Sequence, residues 1–364
     1  MLIFGQEFSD RIEIDAGDWV KAVTFTANGE YLVSGGYEGV QIWRVKDGER
    51  VATKKVEDGV WGIVVSKDGR FIAAQSSTDM LVWDATTYKE VFASYVGKIW
   101  DIDFSPDSSR LVSADGEPIH TASIWDIAVR KKVRTLYHEQ KVEAARYSPQ
   151  GDRIATASYE SIRVWDSDDG RLLVNMEVQL GLTCGLLWFN NHLFVKTESG
   201  EIKQIDASTG STISEWSVPL DRSSIALPQH GQFLAYSMQD NITLWDTSTH
   251  IQLGPQISQS NDTCSIAFSP SGQRLALVQD RKIIIKNVFC IKVRPLLNMF
   301  AFLICTSYTR NRTFILKTLR LTRGKILNSP MRKRCLLQQS QRPRMQLIYL
   351  PVELLSGHAY NSGT

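Results

Sequence analysis

The chain has 364 residues, enough for one large domain or two smaller ones, and its 43% hydrophobic and 22% charged residues suit a globular protein with a sizeable core. Its five cysteines (Cys184, Cys264, Cys290, Cys305 and Cys335) form no C-x-x-C pair. This argues against a disulfide framework and for a reducing compartment, cytoplasmic or nuclear. The net charge of +2 hides a split: residues 288–364 hold thirteen Lys/Arg and one acidic residue, Glu353, leaving 28 basic and 38 acidic residues in 1–287.

The opening "MLIFGQEFSD" lacks the basic leader and long apolar stretch of a secretory signal. The longest near-apolar run, at 295–305, is too short to span a bilayer, so no membrane association is expected. The first predicted strand is "EFSDRIEI" (7–14), with Phe8, Ile12 and Ile14 on one face. A repeat follows. "VQIWRV", "MLVWDA", "ASIWDI", "IRVWDS" and "ITLWDT" place Trp43, Trp83, Trp125, Trp165 and Trp245 at spacings of 40, 42, 40 and 80 residues. "IKQIDA" fills the missing beat with Ile205, and one more step of 40 reaches Ile285, giving seven beats.

Each beat is preceded by an alternating apolar run that ends in a polar turn. These read "VTFTANG", "IVVSKDG", "IDFSPDS", "ARYSPQG", "LLWFNN", "IALPQHG" and "IAFSPSG". A small-residue strand such as "YLVSGG" or "RIATAS" comes next, then the strand of the beat, then a polar alternating strand such as "RVATKKV". Four strands per forty residues are therefore predicted.

The runs "FSPDS…SIWD" (104–126), "YSPQG…RVWD" (147–166) and "FSPSG" (268–272) resemble the WD-repeat family of β-propellers, and the resemblance covers about residues 15–287. It implies an all-β, seven-bladed propeller of four-stranded antiparallel blades over 1–287, with the N-terminal strand closing the ring beside "KIIIK" (282–286). It also implies a structural role for Trp43, Trp83, Trp125, Trp165, Trp245 and Ile285 between blades. The family's His–Ser/Thr–Asp–Trp hydrogen-bond network has a matching His only at His138, which with Ser158, Glu160 and Trp165 would make one partial network in blade 4.

Catalytic chemistry finds little footing. The six histidines are scattered, no metal-ligand cluster or phosphate-binding loop occurs, and Cys184 and Cys264 share one repeat position, which argues for packing. Asp101, Glu143, Asp221 and Asp262 could reach a channel mouth, as in propellers that are enzymes, but acidic residues abound in this region. No cofactor or metal is expected, and the chain reads as non-enzymatic. A hydrolase or small-molecule binder working at the channel is the alternative.

The residue four before the last apolar residue of each inner strand gives the row Lys21, Trp61, Trp100, Glu143, Cys184, Ser223 and Cys264. By family resemblance this row rings the channel mouth. Trp19 and Tyr37 should join it, with Lys98 and Lys141 as charged edges, and exposed Trp and Tyr are residues that anchor interfaces. Trp19, Lys21, Tyr37, Trp61, Lys98, Trp100, Lys141 and Glu143 are thus the expected binding site for a protein or peptide partner.

Residues 288–364 lose the period and contain no Asp or Trp and three Gly. Three readings stand for this tail. It is a disordered basic extension able to bind nucleic acid, a segment packed on the acidic region, or sequence never shaped by selection, such as a retained intron or frame change. The abrupt compositional switch favours the last.

Overall fold

The alternation in each forty-residue repeat is realised as a four-stranded antiparallel sheet, seven times over. The computed structural model describes residues 11–288 apart from 116–119, 179, 181–184, 198, 219–223, 239–240, 254–255 and 259–263. It also describes the strands Leu2–Phe4, Cys290–Lys292, Leu303–Tyr308, Phe314–Thr322 and Lys325–Asn328.

Blade 1 comprises Val20–Phe25, Tyr31–Gly36, Gly39–Arg44 and Arg50–Lys54, and blade 2 Gly62–Val65, Phe71–Gln75, Asp79–Asp84 and Glu90–Tyr95. Blade 3 comprises Ile99–Phe104, Arg110–Asp115, Thr121–Asp126 and Lys131–Tyr137. Blade 4 follows with Val142–Tyr147, Arg153–Ser158, Ser161–Asp166 and Leu172–Glu177. Blade 5 comprises Leu186–Phe189, His192–Lys196, Glu201–Asp206 and Thr212–Ser217. Blade 6 has short inner and outer strands, Ile225–Ala226 and Ile257–Ser258, around Phe233–Met238 and Asn241–Asp246. Pro228, which has no N–H to donate, follows its inner strand.

Blade 7 takes three strands from the end of the repeat, Ser265–Phe268, Arg274–Gln279 and Lys282–Asn287, and its fourth from the start of the chain. Arg11–Asp15 pairs antiparallel with Lys282–Lys286, Ile12 opposite Ile285 and Ile14 opposite Ile283. The expected closure is therefore present; Phe8 lies outside the described residues. The segment after Asn287 does not compete for that edge, since Cys290–Lys292 pairs with Leu2–Phe4 in a separate two-stranded ladder.

Because side chains alternate across a strand, each blade serves two gaps. Leu32 faces blade 7 and Val33 faces blade 2. Seven clusters of buried side chains result among the described residues, one between each pair of neighbouring blades. Trp43, Trp83, Trp125, Trp165 and Ile205 are buried in these gaps, and Trp245 is partly buried.

The ladder corrects the seventh beat. Trp43 stands opposite Leu32 and Trp165 opposite Ile154, and the equivalent residue of blade 7, opposite Leu275, is Lys286. Ile285 points the other way, into the gap with blade 1. The period slips by one residue here, and one residue along a strand exchanges the two faces.

The Asp that follows Trp83, Trp125, Trp165, Ile205 and Trp245 has a local task. The carboxylates of Asp84, Asp126, Asp166, Asp206 and Asp246 accept backbone N–H bonds from the residues two and three further on, capping the turn into the outer strand. Those bonds hold Asp84, Asp166 and Asp206 below the usual carboxylate range.

The chain falls into two compact units, Met1–Arg294 and Pro295–Thr364. In the second, where the sequence shows no clean period, Leu303–Tyr308, Phe314–Thr322 and Lys325–Asn328 form an antiparallel three-stranded sheet.

Candidate functional site

The row of residues singled out in the sequence falls at irregularities of the inner strands. Register shifts between Val20 and Ala22, Ile99 and Asp101, and Val142 and Ala144 leave Lys21, Trp100 and Glu143 as the bulged residues. A bulge breaks the alternation and re-aims a side chain that would otherwise lie between blades. Trp61 directly precedes its inner strand, tied by its N–H to the carbonyl of Gln75.

Two clusters form. In the first, the Lys21 ammonium lies 5.3 Å from the ring centroids of both Trp19 and Tyr37 and 5.6 Å from that of Trp61. Tyr37 and Trp61 meet edge to face at 5.9 Å, and the Trp61 indole N–H donates to Ser77 Oγ at 3.2 Å. In the second, Trp100 lies between Lys98 and Lys141, whose ammonium groups are 4.5 and 3.8 Å from its centroid. Lys141 also pairs with the Glu143 carboxylate at 2.8 Å. Trp19, Tyr37, Trp61 and Trp100 remain 41, 47, 44 and 38% exposed, against 6% or less for Trp43, Trp83, Trp125 and Trp165. Of the rest of the row, Cys184 and Ser223 lie outside the described residues, and the Cys264 thiol is directed at the Val20 carbonyl, 3.5 Å away.

Backbone contacts hold the first cluster. Tyr37 N–H donates to the Trp19 carbonyl at 3.1 Å, and Val60 N–H to the Gly36 carbonyl at 2.9 Å. A Cβ on Gly36 would come within 2.1 Å of the Trp19 carbonyl oxygen, and one on Gly35 within 2.4 Å of Val60 Cγ1. The double glycine of "YLVSGG" lets three loops converge, and no other second strand of a blade ends in it. That difference between repeats was a legible signal for the site.

Under Trp100, blades 3 and 4 are stitched by carboxylates. Asp101 accepts from the Arg146 guanidinium and from Ala145 N–H, and Asp103 accepts from Tyr147 N–H at 2.9 Å. Asp101 is thus engaged in structure, while Asp221 and Asp262 lie outside the described residues. Burial pushes Asp103 up to about 6, although the Arg146 charge opposes this. Its folded pKa exceeds the unfolded value of about 3.9, so its contribution to stability is complete below that pH and lost as pH rises through about 6. Asp103→Asn is therefore expected to raise Tm relative to wild type at pH 7.5, with the advantage shrinking by pH 4.5. A thermal-melt difference that is constant with pH would contradict this assignment.

The indole networks differ from expectation. In blade 4, Trp165 Nε1–H donates to Thr156 Oγ1 at 2.7 Å, and that hydroxyl meets His138 Nε2 at 2.8 Å. The expected hydroxyl, Ser158, instead bonds to the hydroxyl and carbonyl of Ser161, and the Glu160 side chain is exposed. In the ladder Thr156 and Ser158 lie on the same face, but only Thr156 lies near enough to the indole. Burial holds His138 at about 4, so its imidazole is neutral in the fold. Blade 3 has a network not foreseen, in which Trp125 donates to Ser113, and Ser113, Thr121 and Ser123 all donate to Asp115. The longer turn of that repeat, which gives it the 42-residue spacing, shifts Asp115 out of alignment with the other repeats.

Residues 89–117 and 130–166 match the family described as WD domain, G-beta repeat, and they include both networks apart from Thr121, Ser123 and Trp125. Three relatives show wider similarity. The chain is 26% identical to apoptotic protease-activating factor 1 of Rattus norvegicus over 42% of its own length and 13% of that protein. It is 25% identical to a component of chromatin assembly factor 1 of Mus musculus over 44% of its length and 25% of the relative's. With the serine-threonine kinase receptor-associated protein of Gallus gallus it shares 22% identity over 69% of its length and 73% of the relative's. The chain therefore spans only a minor part of the first two. Among the described residues no helix is long and apolar enough to cross a membrane, and no group of His, Cys, Asp and Glu is arranged to hold a metal ion.

Proposed function

Since this chain is a WD-repeat β-propeller, we propose that it is a non-enzymatic interaction scaffold that seats a protein or peptide partner on the rim of blades 1 to 4. One observation carries the reading. Trp19, Tyr37, Trp61 and Trp100 stay 38–47% exposed at one end of the inner strands, while the repeat tryptophans of blades 1 to 4 are buried. Large amphipathic rings at a partly wet surface anchor interfaces, and Lys21, Lys98, Lys141 and Glu143 supply the charged surround that sets register. Two relatives carry names that denote assemblies, a chromatin assembly factor component and a receptor-associated protein, which agrees with a scaffold role. On the same footing we place the protein inside the cell, following its cysteine usage.

The test is capture of partners from cell extract by wild type and by Trp61→Ala/Trp100→Ala. At about 2 kcal/mol for each anchor, the double variant should lose roughly a thousand-fold in affinity with its thermal melt nearly unchanged. Undiminished capture would refute the rim.

A further inference from the structure

The first cluster has the form of a binding site that is already filled. The faces of three rings from three loops converge on one ammonium group, and that group belongs to the chain itself. Lys21 reaches them because its bulge in the inner strand of blade 1 turns it out of the gap between blades. Asp18 precedes Trp19, Glu38 follows Tyr37, and Glu57 and Asp58 lie in the loop leading to Trp61, so each ring-bearing loop carries carboxylate. None of the four makes an ion pair with Lys21 within 4 Å among the described residues; the Glu38 carboxylate instead accepts from Gln41 at 2.9 Å and pairs with the Arg50 guanidinium at 3.8 Å.

We propose that Trp19, Tyr37 and Trp61 form a cation cage whose resting occupant is Lys21, and that a methylated lysine of a basic peptide displaces it. A primary ammonium is strongly hydrated and holds to ring faces at a desolvation cost. A trimethylammonium group keeps the charge, sheds most of that hydration and presents methyl groups to the rings, so it has the advantage in the same cage. Carboxylates next to all three rings in sequence suit the basic residues that flank it. Lys21 acts as an internal competitor that weakens capture of any lesser cation. This rests on the rim reading, because the cage is its blade 1–2 half.

The test uses the full chain and a seven-residue Gly/Arg peptide with one central trimethyllysine, titrated by fluorescence anisotropy. Its comparators are the unmethylated peptide and a peptide in which a carbon replaces the quaternary nitrogen. The trimethyl peptide should bind at least five-fold tighter than either comparator. Lys21→Thr, which suits a strand and removes the competitor, should tighten trimethyl binding about five-fold, the equivalent of roughly 1 kcal/mol of cation–π attraction. Trp61→Ala should abolish binding, and Tyr137→Ala, exposed on the outer strand of blade 3, should leave it unchanged. Equal binding of the carbon analogue would overturn the cation assignment. Unchanged or weaker binding by Lys21→Thr, with a melt like wild type, would overturn the role of Lys21 as occupant. Preference for phosphatidylcholine vesicles over the peptide would overturn the choice of ligand. Peptide binding that behaves as stated, beside partner capture indifferent to Trp61 and Trp100, would refute the scaffold reading and leave the cage standing.

Discussion

Removing residues 1–15 should lower the melting temperature sharply and make the protein prone to aggregate. The deleted segment carries Arg11–Asp15, the fourth strand of blade 7, and with it Ile14, which is 3% exposed in the gap between blades 7 and 1. Loss of that burial costs about 2–3 kcal/mol, and at roughly 2–4 °C per kcal/mol it alone moves Tm by about 5–10 °C. The ladder to Lys282–Lys286 is lost too, along with the ion pair of Glu13 and Lys282 at 2.6 Å. What remains is an open edge of three consecutive isoleucines, Ile283, Ile284 and Ile285, which invites pairing with another chain. Ile14→Asp tests the same closure at full length, because a carboxylate in that gap has no partner. A melt unchanged in both variants would mean that the ring is not held shut by this strand.

Trp165→Ala should be the most damaging single substitution among the repeat tryptophans of blades 1 to 4. Trp165 is 6% exposed between blades 3 and 4, and it is the only one of the four bonded to a hydroxyl that also meets a half-buried histidine. Replacing a buried Trp with Ala costs about 3–5 kcal/mol, or roughly 6–20 °C in Tm. The change also strips Thr156 and His138 of the ring that covers them, with centroids 5.5 Å apart between His138 and Trp165. Trp165→Phe separates the contributions, since it retains most of the volume and loses the hydrogen bond, worth about 1 kcal/mol. Chemical denaturation of both variants beside Trp61→Ala checks the contrast. If Trp61→Ala proved as destabilising as Trp165→Ala, the division between scaffold and surface tryptophans would fail.

Much of the architecture was legible because it repeats. Apolar alternation, turn residues and a large aromatic ring recur every forty residues or so, and each copy supports the reading of the others. Closure was legible for the same reason, since an alternating strand at 7–14 had no repeat of its own to join. The rim was legible in part. A fixed offset within each repeat picked out Lys21, Trp61, Trp100 and Glu143, and three of these prove to be bulged residues. Counting failed where a single residue mattered, at Ile285 against Lys286 and at Ser158 against Thr156. It failed again at Asp115, where a longer turn disturbed the alignment of the repeats.

The linear order of residues determined the all-β class, the number of blades, the position of the inter-blade tryptophans and the strand that closes the ring. These follow from periodicity and local propensity, which any forty-residue window displays. Only the tertiary structure decided that Lys286 takes the place of the seventh tryptophan and that Thr156 rather than Ser158 serves Trp165. It also decided that Trp19, Tyr37 and Trp61 close around Lys21. The physical reason is the same each time. A strand exchanges its faces with every residue, so a slip of one reverses what a side chain meets. A cage built from three loops exists only once two blades have packed and a pair of glycines has let their backbones approach.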